Sequence, residues 1–194
     1  MRILLSLVFL IATNVFASET EGTLLVEVQN YESDVKLKKG IRKQLDRGGL
    51  EWAIKGDELV IPFIGTKFVD ADPLYTTRWS ETDEVSLSPG EYAITFIGYE
   101  QKKLFGGIDK VLSKGAYFNE RVLTFMIEPG EVTTLQILPR YQKTGSMLKV
   151  FLPALHVKVI RDEAVVQESV ITGRTEQSIS WDDYTGDLKV PKPD

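Results

Sequence analysis

Thr23-Leu24-Leu25-Val26-Glu27-Val28-Gln29 puts Leu24, Val26 and Val28 on one side of an extended chain and Glu27 and Gln29 on the other. Such alternation marks a strand with one buried face, because successive side chains leave a strand in opposite directions. Leu155-His156-Val157-Lys158-Val159 repeats the pattern, with His156 and Lys158 on the polar side. Stretches 59–64, 92–99, 122–127, 132–138, 147–152 and 164–171 are rich in β-branched and aromatic residues and are bounded by Gly, Pro, Asp or Ser. That composition suits a pleated surface closed by turns. About eight strands follow, and with them an all-β fold: an antiparallel β-sandwich, immunoglobulin-like or transthyretin-like, with long irregular loops at 30–57 and 65–84 and little helix.

Two segments interrupt the strand pattern. Residues 35–52 carry Leu37, Ile41 and Leu45 at helical spacing among many Lys and Arg, but Gly40 lies inside and Gly48-Gly49 closes the run. Glycine is a poor helix former, so this segment is a short helix or a long basic loop. Residues 102–117 contain Gly106, Gly107 and Gly115 and leave room for one helical turn around 108–112.

Ser88-Pro89-Gly90-Glu91-Tyr92 and Glu128-Pro129-Gly130-Glu131-Val132 each stand between apolar runs. Proline presets φ for the second position of a type II turn and glycine accepts the positive φ of the third, which predicts a tight turn between strands at each site. The second copy lacks the aromatic pattern of the first, so the two share a turn solution without being a duplication.

Leu87-Ser88-Pro89-Gly90-Glu91-Tyr92-Ala93-Ile94-Thr95-Phe96, followed by Gly98-Tyr99-Glu100, resembles the final hairpin of PEGA domains and of related transthyretin-like (carboxypeptidase-regulatory-like) β-sandwich modules. The resemblance covers residues 87–100 and implies a module of bacterial envelope or surface proteins that binds or spaces without catalysis.

Composition removes many chemistries. The 194 residues include no Cys and one His, which excludes disulfides, thiol nucleophiles, thiolate zinc, iron–sulfur clusters and any multi-histidine metal site within one chain. A formal charge of −5 opposes sequence-independent binding to nucleic acid, which needs surplus Lys and Arg facing phosphates.

Met1-Arg2 is followed by the apolar run Ile3 to Ala12 and by Val15-Phe16-Ala17. One positive charge, a short apolar core and a small residue at the cut form a secretory signal, with cleavage expected after Ala17. The run falls short of the roughly 20 residues that span a bilayer, so the mature chain is expected not to cross the membrane. Loss of Arg2 leaves 22 basic against 28 acidic residues. An exported chain without cysteines and without an Asn-x-Ser/Thr sequon fits a bacterial periplasm or secretion from a bacterium. The expected organisation is a signal peptide at 1–17, a β-sandwich at 18–187 and a flexible tail at 188–194, whose Lys-Val-Pro-Lys-Pro-Asp end is too polar and proline-rich for a sheet interior.

No catalytic set is legible. His156 sits on the polar side of its strand and no Gly-x-Ser-x-Gly elbow accompanies it. Asp70-Ala71-Asp72-Pro73 and Asp182-Asp183 with Asp187 lack the spacing of a calcium loop, and acidic residues beside Pro and Gly form turns by bonding nearby backbone N–H groups. No metal site and no cofactor is expected, and no glycine-rich phosphate cradle is present. Trp79, Tyr75, Arg78 and Trp52 are the candidate binding residues, because aromatic faces give large contact area at low entropic cost and Thr76-Thr77-Arg78-Trp79-Ser80 reads as an exposed loop. The expected function is a non-enzymatic envelope protein that binds or scaffolds through loops or an edge strand, its partner an envelope protein or a cell-wall glycan. One alternative is a carbohydrate-binding module using exposed aromatics. The other is a carboxylate-dependent hydrolase, whose acid pair would be a property of the fold.

Overall fold

The computed structural model describes residues 20–37, 39–62, 73–99, 116–144 and 150–186. The expected signal segment, the expected turn around 108–112, Asp70-Ala71-Asp72 and the tail from 187 lie outside them. In chain order the elements are β1 (Gly22–Val28), β2 (Glu32–Ser33), α1 (Lys39–Leu45), β3 (Gly49–Lys55), β4 (Glu58–Pro62), β5 (Leu74–Arg78), β6 (Glu81–Leu87), β7 (Gly90–Tyr99), β8 (Ala116–Ile127), β9 (Val132–Thr144), β10 (Val150–Arg161), β11 (Ala164–Ile171) and β12 (Ile179–Ser180), followed by a 3-10 turn at Trp181–Asp183.

Two sheets pack face to face. One runs β11-β10-β9-β1-β6, with β2 added beside β9; the other runs β12-β8-β7-β4-β3-β5. Between them lie Leu24, Val26, Val28, Leu135, Ile137, Leu155, Val157 and Val159 from the first sheet, and Leu50, Trp52, Leu59, Ile61, Ile94, Leu123, Phe125 and Ile127 from the second. The alternation that opened the sequence is therefore the sandwich interior, and burying these side chains at about 25 cal/mol per Å² of apolar surface drives the fold.

The sheets are mixed, where an antiparallel sandwich was expected. β1 runs parallel to β9, β2 parallel to β9 and β4 parallel to β7. The reason is connectivity: after β4 the chain passes through β5 and into β6 of the other sheet, and it returns as β7 beside β4 in the same direction. Parallel neighbours need such a long crossover. The regions expected to be irregular contain β3, β5 and β6, while 35–52 divides into the short helix α1 and the start of β3.

Both Pro-Gly sites carry the chain from one sheet to the other, Pro89 between β6 and β7 and Pro129 between β8 and β9, but the first departs from the expected tight turn: Gly90 has φ +155° and is already the first residue of β7. At the second, Gly130 has φ +71° and the Glu131 N–H donates to the Glu128 carbonyl at 3.2 Å, the geometry that glycine at the third position permits. These turns, the β3–β4 turn and the Asp162-Glu163 turn share one end of the sandwich. α1 and the 79–80 turn lie at the other.

Candidate binding surface

The four aromatic and basic residues singled out above do not form a surface strip. Trp52, on the inner face of β3, is 0% exposed; its ring stacks on Tyr75 with centroids 4.3 Å apart and planes 13° from parallel. The indole N–H donates to Thr77 Oγ1 at 2.8 Å, and Thr77 donates to Asp83 Oδ2 at 2.5 Å. This chain of bonds crosses from β3 through edge strand β5 to β6 of the opposite sheet. Trp52 is thus a core residue that closes the sandwich corner, with no face left for a ligand, and Tyr75 has one face committed to it. Arg78, three residues along β5 from Tyr75, leaves from the opposite side and is exposed.

Trp79 is half-buried and has a structural task. Its Nε1–H donates to the Leu45 carbonyl at the end of α1. Tyr31 meets the Trp79 ring edge-on at 5.9 Å and the Tyr141 ring at 5.8 Å, and its hydroxyl donates to Asp46 Oδ1 at 2.7 Å. The Asp46 bond, with burial and the Asp46 charge, raises the Tyr31 pKa. Burial first, then Tyr31, raises that of Tyr141, whose buried hydroxyl has no hydrogen-bond partner. This cluster pins α1 to the sandwich.

The free surface lies elsewhere. β11 is the outermost strand of its sheet, bonded to β10 on one side and to no strand on the other among the described residues. Val165, Val166 and Val170 are 51%, 50% and 51% exposed. The β10–β11 register shifts between Val159 and Ile160, so Val165 lies opposite Ile160 and Gln167 opposite Val159. Val166 is the extra residue of that bulge, which breaks the alternation and leaves two adjacent valines in solvent.

At the start of β11 the outer face of the sheet holds a concavity of about 450 Å³. Val132, Thr134 and Ile160 line it together with Glu131, Asp162 and Glu163 of the adjoining turns, and no Lys or Arg is among the lining residues. All three carboxylates are exposed. Asp162 and Glu163 both have positive φ, 49° and 63°, the pattern of a two-residue hairpin turn that favours Asn-Gly. The acid pair of the hydrolase alternative would need one carboxyl sunk in an apolar pocket; here the acids stand on the rim and the apolar groups form the floor.

His156 is half-buried where the exposed side of its strand was expected, because Leu138 on β9 and Val170 on β11 flank it in register. Its Nε2 is buried without a hydrogen-bond partner. Asp183 accepts a hydrogen bond from Ser180, a local turn contact. Among the described residues no three His, Asp or Glu side chains are grouped to hold a metal ion, and no helix is long and apolar enough to cross a membrane.

Sequence reading missed the β11 edge as the open surface, although Val165-Val166 was a visible break in its alternation; whether that break falls on an edge depends on the order of strands, which pattern alone does not encode. No family model, curated protein or solved structure matches the chain.

Proposed function

We propose that this protein is a non-enzymatic binding module of the bacterial cell envelope that takes hold of a partner along the open edge of β11. The observation that carries this reading is the edge itself: eight residues of strand with no strand paired on one side among the described residues, and three half-exposed valines. Natural sheets usually blunt such an edge with charge, proline or a covering segment, because it is a template for pairing with another chain. β11 has a bulge and one charged residue, Glu168, so a partner strand can add main-chain hydrogen bonds and set apolar side chains against Val165 and Val170. The likeness of 87–100 to envelope sandwich modules and the secretory pattern of residues 1–17 support the same reading. The cell-wall glycan alternative loses the exposed aromatic strip on which it rested, since Trp52 is buried and Trp79 is engaged with α1.

The test is site-specific photocrosslinking in cells that make the protein. A crosslinker at Val166 or Val170 is expected to yield a discrete adduct, and one at Thr76, on the outer side of β5, is not. Equal adducts at both places, or none at the β11 positions, would overturn the proposal.

A further inference from the structure

Charge is segregated along the sandwich. The chain is acidic overall, at −5, yet Lys36, Lys39, Arg42, Lys43, Arg47 and Arg78 all lie exposed at the α1 end, and none makes an ion pair among the described residues. The neighbouring carboxylates are largely occupied: Arg140 takes Asp34 at 3.1 Å and Glu32 at 3.8 Å, and Asp46 accepts from Tyr31. Glu81, at the start of β6, is the remaining exposed acid beside them. The far end carries Asp57, Glu58, Glu91, Glu120, Glu131 and Asp162 against Lys55, Arg121 and Arg161.

We propose that the α1 end docks on a bilayer surface containing anionic lipid, with the acidic end pointing away. Three features favour lipid headgroups over an acidic protein. The six cations, five of them within 36–47 and the sixth Arg78, are exposed, with Arg42 drawn to the Tyr31 hydroxyl, so they present charge density and not a fixed fork for one carboxylate. Among the described residues the large exposed hydrophobics, Met126, Val132, Val165, Val166 and Val170, belong to β8, β9 and β11 and not to the α1 end, whereas protein interfaces depend on such apolar anchors. A bilayer needs neither shape nor anchors, since its surface potential attracts each Lys or Arg by about 1 kcal/mol and falls off within a Debye length. α1 is also fixed to the sandwich by Trp79 and Tyr31, so its charge orients the whole body. The strands then stand away from the membrane, and the β11 edge stays open at the side.

Sedimentation with vesicles tests this on the chain purified after removal of residues 1–17. Binding is expected to phosphatidylcholine vesicles containing phosphatidylglycerol, to be absent with phosphatidylcholine alone, and to vanish as salt is raised. Lys39→Gln with Arg42→Gln and Lys43→Gln keeps helix-forming side chains and is expected to weaken binding on the order of 100-fold, from about 1 kcal/mol per lost charge. Glu131→Gln with Glu163→Gln, at the other end, is expected to leave binding unchanged or slightly stronger. The proposal fails if neutral vesicles bind as well, if neither vesicle binds, or if the triple variant binds like the parent. It also fails if poly-glutamate binds more tightly than vesicles, or if the triple substitution instead abolishes self-association seen by light scattering. Those two results would make an acidic protein or a second copy the occupant.

Discussion

The Trp52 indole donates to Thr77 Oγ1 at 2.8 Å with both residues buried, and Thr77 passes the connection on to Asp83 in the opposite sheet. A buried donor that loses its acceptor costs about 1–3 kcal/mol. Thr77→Val keeps the shape and removes the acceptor, so chemical denaturation is expected to show a loss in that range. The midpoint temperature should fall by roughly 2–4 °C per kcal/mol. Thr77→Ser keeps the hydroxyl and should lose less than half as much. Equal stability of the Val and Ser variants would show that the bond contributes nothing net.

Trp79 differs from Trp52 in holding a peripheral element. Trp79→Phe keeps a ring against Tyr31 but removes the donor to Leu45. Because α1 is short and packs through few other contacts, the effect should be local. Global stability is expected to drop by no more than about 1 kcal/mol, while the amides of Asp46 and Gly48, which bond to Arg42 and Leu45 carbonyls, exchange at least several-fold faster. Unchanged exchange at those two amides would remove Trp79 from this role.

How much of this was legible in the sequence depends on which physical signal fixed each part. Leu24, Val26 and Val28 announce their strand because one face is greasy and the other is not. Pro129-Gly130 announces its turn because proline fixes its own φ and glycine accepts the positive φ that follows. β5 and β6 were hidden because Thr76, Arg78, Glu81 and Glu84 face solvent from outer strands, so their polarity reads as loop. β3 was hidden by the basic run before it, although Leu50 and Trp52 alternate cleanly. The parallel pairings and the corner position of Trp52 depend on which strands meet, and no local pattern carries that. An aromatic residue flanked by Thr and Arg looked like a binding tip, yet the same neighbours serve a tryptophan that donates to a backbone carbonyl.

The Asp162-Glu163 turn offers a gain of stability. Both residues adopt positive φ, at 49° and 63°, a region that Gly, Asn and Asp tolerate and in which Glu163 is strained. Asp162→Asn with Glu163→Gly supplies the favoured pair for this turn, and the double variant is expected to be more stable by about 0.5–1 kcal/mol in denaturant. If the two carboxylates serve the surface beside β11, crosslinking from Val166 should fall at the same time. Lower stability would mean that the carboxylates make contacts worth more than the strain.

Glu58, at the start of β4, supplies a pH dependence with a definite sign. Burial, followed by the charges of Glu120 and Asp57, raises its pKa above the usual 4.5, and the Arg121 guanidinium opposes this. The folded state therefore holds the Glu58 proton at pH values where the unfolded chain has released it, so this residue's favourable contribution is full below 4.5 and is lost as pH rises through the raised value. At neutral pH the ionised carboxylate is a mild burden on the fold. Glu58→Gln, which can still accept the Thr95 hydroxyl, is expected to be more stable than the parent at pH 7 and equal to it near pH 4. The parent's stability should thus decline more steeply across that interval than the variant's. Parallel curves for the two proteins would show that Glu58 titrates alike in the folded and unfolded chains, and that Arg121, bonded to Asp57 at 3.0 Å and Glu91 at 3.1 Å, offsets the whole of its burial.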